Sequence, residues 1–165
     1  MHGAIRARLT RMSPRTPANQ PTPASPRPPA NPRIALVNPE QLHPTPGYHH
    51  ITVVEAGRTA YLAGQCPLDA NGDLVGPESL NDQIDQVAAN AVAALAAVAA
   101  RPEDVVRSVV YVCGDESAVL GAAWHRLNRS VLGPAFRTAA TLLGVASLGF
   151  RGQLVEVDLT AALPG

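Results

Sequence analysis

From about residue 50 onward the apolar and polar positions fall into two rhythms. "HITVVEA" (50–56) and "RTAYLAGQ" (58–65) are short strand-like runs on either side of Gly57, a spacing that predicts a hairpin. "LDANGDLVGP" follows as a loop. Ile84, Val87, Ala88, Ala91, Leu95, Val98 and Ala99 then recur at helical spacing, which predicts a helix from about Ser79 to Ala100. Ser79 with Asp82 three residues on has the form of a helix start, and Arg101-Pro102 ends the helix. "VVRSVVYV" (105–112) is a β-branched strand. "SAVLGAAWHRLNRSVL" (117–132) is a second helix with Ala118, Ala122 and Leu127 as inward positions, broken by Gly133-Pro134. "TAATLLGV" (138–145) and "QLVEVDLT" (153–160) are the last strands, joined by the loop "ASLGFRG" (146–152).

The last strand is the most telling. Val155, Val157 and Leu159 face one way, and Leu154, Glu156 and Asp158 the other. Two strand–helix passages feeding one sheet predict an α+β sandwich with both helices on a single sheet face. The opposite face is then bare unless another copy of the chain covers it.

Composition separates a tail from this body. Eleven of the sixteen prolines fall in residues 1–46, and Met1 to Arg33 holds six arginines and no acid. The remainder has seven arginines and thirteen acids, so the zero net charge is a sum of +6 and −6. A Pro/Ala/Arg-rich segment with almost no large apolar side chains cannot offset its ordering entropy, so residues 1–33 are expected to be disordered and 34–165 to form the domain. The prolines forbid the amphipathic helix of a transit peptide, and Met12 stands as an alternative start. No stretch has signal-peptide or membrane-spanning character, which places the chain in the cytoplasm by expectation.

Chemistry-bearing residues are few. Cys66 and Cys113 form no CxxC and sit in apolar surroundings, as free thiols do in a reducing compartment. The histidines, including "YHH" at 48–50, lack partners at ligand spacing, so no metal is expected. There is no phosphate-binding glycine loop and no lysine, which excludes Schiff-base chemistry on the protein. Within "GPAFRTAATLLGV" (133–145) Arg137 is the one charged residue, at the mouth of an apolar run. On pattern alone it is a surface cap, a partner for Asp158 or Glu156, or a ligand clamp. Arg107, inside a strand, is the next candidate. Glu156 alone reads as a solvent-facing strand residue, and Tyr48 as packing. Trp124 and Phe136 read as core or interface.

"Gly-Gln-Cys-Pro" after a strand, a Gln- and Ala-rich helix, "PEDVVRSVVYV", "PAFRTAATLLGV" and "LVEVDLTA" occur here in the order found in the reactive intermediate deaminase (Rid, YjgF-like) family. The resemblance covers roughly residues 34–162. It implies a chorismate-mutase-like (ferredoxin-like) α+β domain with a mixed sheet, assembled as a homotrimer with clefts between subunits and no cofactor or metal. It also implies cofactor-free hydrolysis of enamine and imine acids, such as 2-aminoacrylate, to 2-keto acids and ammonia. By the same resemblance Arg137 grips the substrate carboxylate and Glu156 positions the water. Tyr48 bonds the substrate, and the backbone near Gly64 and Ala139 helps hold the acid.

The chain departs from the family pattern in three places. Ala63 stands where a serine is common, Gly121 lies near a helix asparagine's place, and "ASLGFRG" lengthens the Arg137–Glu156 segment. These put the substrate choice in question and make the chain a divergent member. The alternative is a trimeric carboxylate-binding or protein-interaction module without turnover. A nucleic-acid partner fits poorly with a net-negative body.

Overall fold

The computed structural model describes residues 31–164; residues 1–30 and 165, with most of the expected tail, lie outside the described residues. The element order is β1 (Ile34–Val37), β2 (Ile51–Val54), β3 (Thr59–Tyr61), α1 (Leu80–Ala96), β4 (Val105–Cys113), α2 (Ser117–Arg129), β5 (Ala139–Val145) and β6 (Val155–Ala162). Single 3-10 turns at Pro102–Asp104 and Gly133–Arg137 lead into β4 and β5.

Four strands form one mixed sheet in the order β3-β6-β4-β5. β4 and β5 run parallel, and β6 is antiparallel to both of its neighbours. β3 and β4 therefore point the same way with β6 inserted between them. Both strand–helix–strand passages lay their helix on one face, as the pattern predicted.

Apolar spacing explains that face. Ile84, Val87, Ala88, Ala91 and Leu95 of α1 are fully buried against Val110 and Val112 of β4 and Val155, Val157 and Leu159 of β6. The Ser79 side chain accepts from Asp82 N at 3.3 Å and starts α1 where expected. The helix ends at Ala96, earlier than predicted, because Ala99 adopts a left-handed φ of 57° and the chain turns there. Val98 and Ala99 are exposed in consequence.

Three expectations are corrected. The inward face of α2 is Ala123 and Leu127; Ala118 and Ala122 are exposed, so the predicted stripe was rotated about the helix axis. The hairpin across Gly57 does not form. β2 instead pairs antiparallel with β1, an unanticipated strand, in the register Ile34↔Val54 to Val37↔Ile51, while β3 pairs with β6. Arg33 is the cause: its guanidinium donates to Glu55 O at 2.8 Å and Leu163 O at 2.6 Å. It fills the space a side chain at Gly57 would need, so the glycine serves that close approach.

The third correction concerns residues 31–33, assigned to the tail. Asn31 is buried, and its amide donates to Asp104 Oδ1 at 2.9 Å and Ala162 O at 3.0 Å. The fold thus begins at least three residues before Ile34. Asn31→Ala leaves a buried carboxylate and carbonyl short of a donor, so the loss is about 1–3 kcal/mol. Urea denaturation is expected to show a lower midpoint with an unchanged m-value.

Candidate functional site

Strand alternation puts chemistry on the sheet face that the helices leave open. In β6 Val155, Val157 and Leu159 are buried while Glu156 and Asp158 emerge half-buried on the open side. Across β4 the same face carries Arg107, Val109 and Tyr111, opposite Thr160, Asp158 and Glu156 respectively.

Glu156 is held rather than loose. Gln153, buried at the entry to β6, donates from Nε2 to Glu156 Oε2 at 2.9 Å and to Val155 O at 3.1 Å. Its Oε1 accepts from Phe150 N at 3.1 Å, so the 146–152 loop braces the amide that braces the carboxylate. The other carboxylate oxygen lies against Gly64, where an added Cβ would overlap it. Gly64 is kept in place because Gln65 and Val157 exchange both backbone hydrogen bonds, at 2.9 and 3.2 Å.

Cys66 lies close by, free and half-buried. Burial, then the negative charge of Glu156, pushes its thiol up from the ordinary value, so it is not set up as a nucleophile. Tyr111 donates to Asp158 Oδ2 at 3.1 Å, and burial followed by this carboxylate raises its phenol.

A second group gathers at the start of β5. The turn Gly133–Arg137 buries Ala135 and Phe136 and leaves Arg137 exposed, with Phe136 edge-on to Trp124 at 5.4 Å. Among the described residues no side chain pairs with the Arg137 guanidinium, neither Asp158 nor Glu156. His49 clips this turn to the loop before β2: its Nδ1 donates to Arg137 O at 2.5 Å and its backbone N to Thr138 O at 3.5 Å. Tyr48, one residue earlier, is half-buried with its hydroxyl 3.3 Å from His43 Nε2. Ala139 N donates to Thr52 Oγ1 at 2.9 Å, so that backbone donor already has a partner.

The five residues singled out from the sequence therefore fall into two sets. Gly64 and Glu156 touch; Tyr48, Arg137 and Ala139 cluster through His49 and Thr52. Within one chain the sets are apart. Glu156 is level with Tyr111 and hence with Leu143, four residues beyond Ala139. That is roughly 13 Å along β5 and about 10 Å across two strand spacings. Arg137 lies further out still, past the combined reach of the two side chains.

The guanidinium that does share a cleft with Gly64 in the same chain is Arg107. That cleft, about 450 Å³, is also lined by Tyr61, Asp158 and Thr160. A neighbouring cleft of about 620 Å³ runs from Gly64 and Cys66 to Asn90 and Phe150. Gln153 and His43 escaped sequence reading because no pattern marks a side chain that holds a near neighbour, Glu156 and Tyr48 respectively, and Thr52 because its partner Ala139 is remote in the chain. Among the described residues no group of three or more His, Cys, Asp or Glu is placed to hold a metal.

Comparison with known proteins bears on this arrangement. Residues 39–163 match the profile of a family described as endoribonuclease L-PSP. YyfB from Yersinia pestis, a Rid-family protein of unknown function, is 34% identical over 79% of this chain and 99% of its own, with a TM-score of 0.71. RidA from the Antarctic bacterium Psychrobacter sp. PAMC 21119 is 24% identical over 73% of this chain and 92% of its own, with a TM-score of 0.52. Yeast Mmf1 is 18% identical over 82% and 97%, with a TM-score of 0.56. The last two speak to the fold alone. No curated protein matches the chain.

The Cys66–Glu156 contact gives a test of the site's electrostatics. Glu156→Gln removes a charge that raises the thiol, so iodoacetamide alkylation of Cys66 followed against pH is expected to shift its profile to lower pH. An unmoved profile would mean that the carboxylate does not face Cys66.

Proposed function

The chain belongs to the Rid family, whose profile carries the endoribonuclease L-PSP description, and from that premise we propose that it hydrolyses imino acids to 2-keto acids and ammonia without a cofactor. The observation that carries this reading is the pair of half-sites. An unpaired, exposed guanidinium stands at one end of the open sheet face, and a braced carboxylate lies against a glycine at the other. A second copy docked on that face supplies the missing half.

The chemistry follows from the residue types. Arg137, planar and charged at any working pH, takes a substrate carboxylate through two parallel hydrogen bonds. Glu156 of the adjoining copy orients a water and accepts its proton as the oxygen attacks the imine carbon. It then returns a proton to the nitrogen, which leaves as ammonia while the carbinolamine collapses to the keto acid. The Gly64 backbone lets the substrate approach Glu156 closely, and Tyr48 bonds the substrate end. A closed ring of copies uses each half-site once, and the family resemblance sets the number we propose at three, a homotrimer. Two free cysteines suit the reducing cytoplasm in which we place the protein.

The family's ribonuclease description fits this chain less well. With seven arginines against thirteen acids in residues 34–165, the body carries a net negative charge, which opposes a phosphate backbone. No helix among the described residues is long and apolar enough to cross a membrane.

The decisive experiment supplies 2-iminopropionate from an amino-acid oxidase and follows its loss with a semicarbazide trap. Arg137→Ala is expected to lower kcat/KM by about 100-fold or more with the fold intact. Glu156→Gln is expected to end ammonia release while pyruvate still binds; retained turnover would remove Glu156 from the mechanism. Wild-type binding of pyruvate without any turnover would make the protein a carboxylate-binding module instead.

Because the halves come from different copies, co-refolding the two inactive variants is expected to restore about one site in four. No recovery in a confirmed mixed assembly would put both halves in one chain and overturn the shared-site reading.

A further inference from the structure

Three histidines surround Tyr48, and they are not equivalent. His49 Nδ1 donates to Arg137 O at 2.5 Å and His50 Nε2 donates to His43 O at 3.0 Å. A carbonyl only accepts, so both of those nitrogens are committed as proton carriers. His43 is different: its Nε2 faces the Tyr48 hydroxyl at 3.3 Å, and a phenol can either donate or accept. The rings of His50 and His43 meet edge-to-face at 4.8 Å, and those of His50 and Tyr48 at 5.9 Å, so His50 supports both members of the pair. Thr45 Oγ1 donates to Tyr48 O and fixes the backbone beneath the ring.

Given the imine-hydrolysis reading, on which this rests, we infer that His43 is a positioning residue that sets the hydrogen-bonding polarity of Tyr48 and so the choice between imine and keto acid. A neutral His43 with a bare Nε2 accepts a hydrogen bond from the Tyr48 hydroxyl. The Tyr48 oxygen then offers the cleft lone pairs, which suit the N–H of an imine and repel the carbonyl oxygen of the product. A protonated His43 donates to the Tyr48 oxygen and frees its O–H for the cleft, which favours a keto acid.

The device therefore binds substrate and releases product at neutral pH and holds product under acid conditions. Among the described residues the titratable groups in contact with His43 are Tyr48 and His50.

The test compares wild type, His43→Gln and Tyr48→Phe. Inhibition of imine hydrolysis by pyruvate is measured between about pH 8 and about pH 5, where an imidazole changes charge. In the wild type the ratio of pyruvate Ki to imine KM is expected to fall by at least about fivefold towards acid, the size of one reversed hydrogen bond. The amide introduced by His43→Gln does not titrate yet can still accept a hydrogen bond from the phenol, so this variant is expected to keep the neutral-pH ratio and flatten its pH dependence. Tyr48→Phe is expected to flatten it as well, with a raised imine KM.

The His43 ring titration, followed by NMR, supplies a readout independent of turnover and is expected to move in Tyr48→Phe. Turnover with the same pH-dependent ratio in His43→Gln as in the wild type overturns the inference and leaves the deaminase standing. So does a His43 titration indifferent to Tyr48. Absence of wild-type turnover, with the His43 titration still coupled to Tyr48, removes the deaminase reading and the imine preference while the pair itself survives.

Discussion

A carboxylate can lie on an interior strand of this sheet only because β6 keeps a strict two-residue alternation. Val155, Val157 and Leu159 are driven into the helix-covered core, and that same pleat forces Glu156 and Asp158 onto the other face. A slip of one residue would bury two acids and expose three large apolar side chains, so the register is held by the whole hydrophobic term. β6 is also the strand that both β3 and β4 pair with. The position of the carboxylate is therefore set by an interior strand, paired on both edges.

The rest of the site is hung on that strand by amides. Gln153 joins the 146–152 loop to Glu156, and Gln83, fully buried on α1, accepts from Leu154 N at 2.7 Å and donates to Gly152 O at 2.9 Å. Asn90 donates to Cys66 O and Leu68 O and holds the segment after Gly64 against the same helix. Each amide satisfies backbone groups that the loops leave unpaired, which is how long connections stay ordered beside a reactive face. The 146–152 loop is thus tied to Glu156 through Phe150 and Gln153.

The opposite constraint acts on Arg137. Parallel pairing of β4 with β5 fixes Ala139 level with Arg107, and so sets Arg137 beyond the end of the sheet, out of reach of Glu156. The open face also carries Tyr61, 82% exposed, and Leu143, 42% exposed, where a monomer in water would be expected to shed apolar area. The separation of Arg137 from Glu156 and the uncovered face would both be met by the neighbouring copy proposed above.

The sequence by itself determined whatever depends on periodicity and local chemistry. The spacing of Ile84, Val87, Ala88, Ala91 and Leu95, the Ser79 cap and the alternation in β6 defined the helices, the α+β layering and the face on which Glu156 emerges, because each is decided within a few residues. It identified the family through ordered short motifs. It misread the strand pairing at Gly57, the rotation of α2 and the start of the fold. Those were decided by Arg33 reaching Glu55 and Leu163, by Ala123 finding the core, and by Asn31 finding Asp104. Only the tertiary structure separated Arg137 from Glu156 and brought Thr52 to Ala139. The physical reason is that side-chain hydrogen bonds and strand register act across tens of residues, where composition and period carry no information about which partner wins.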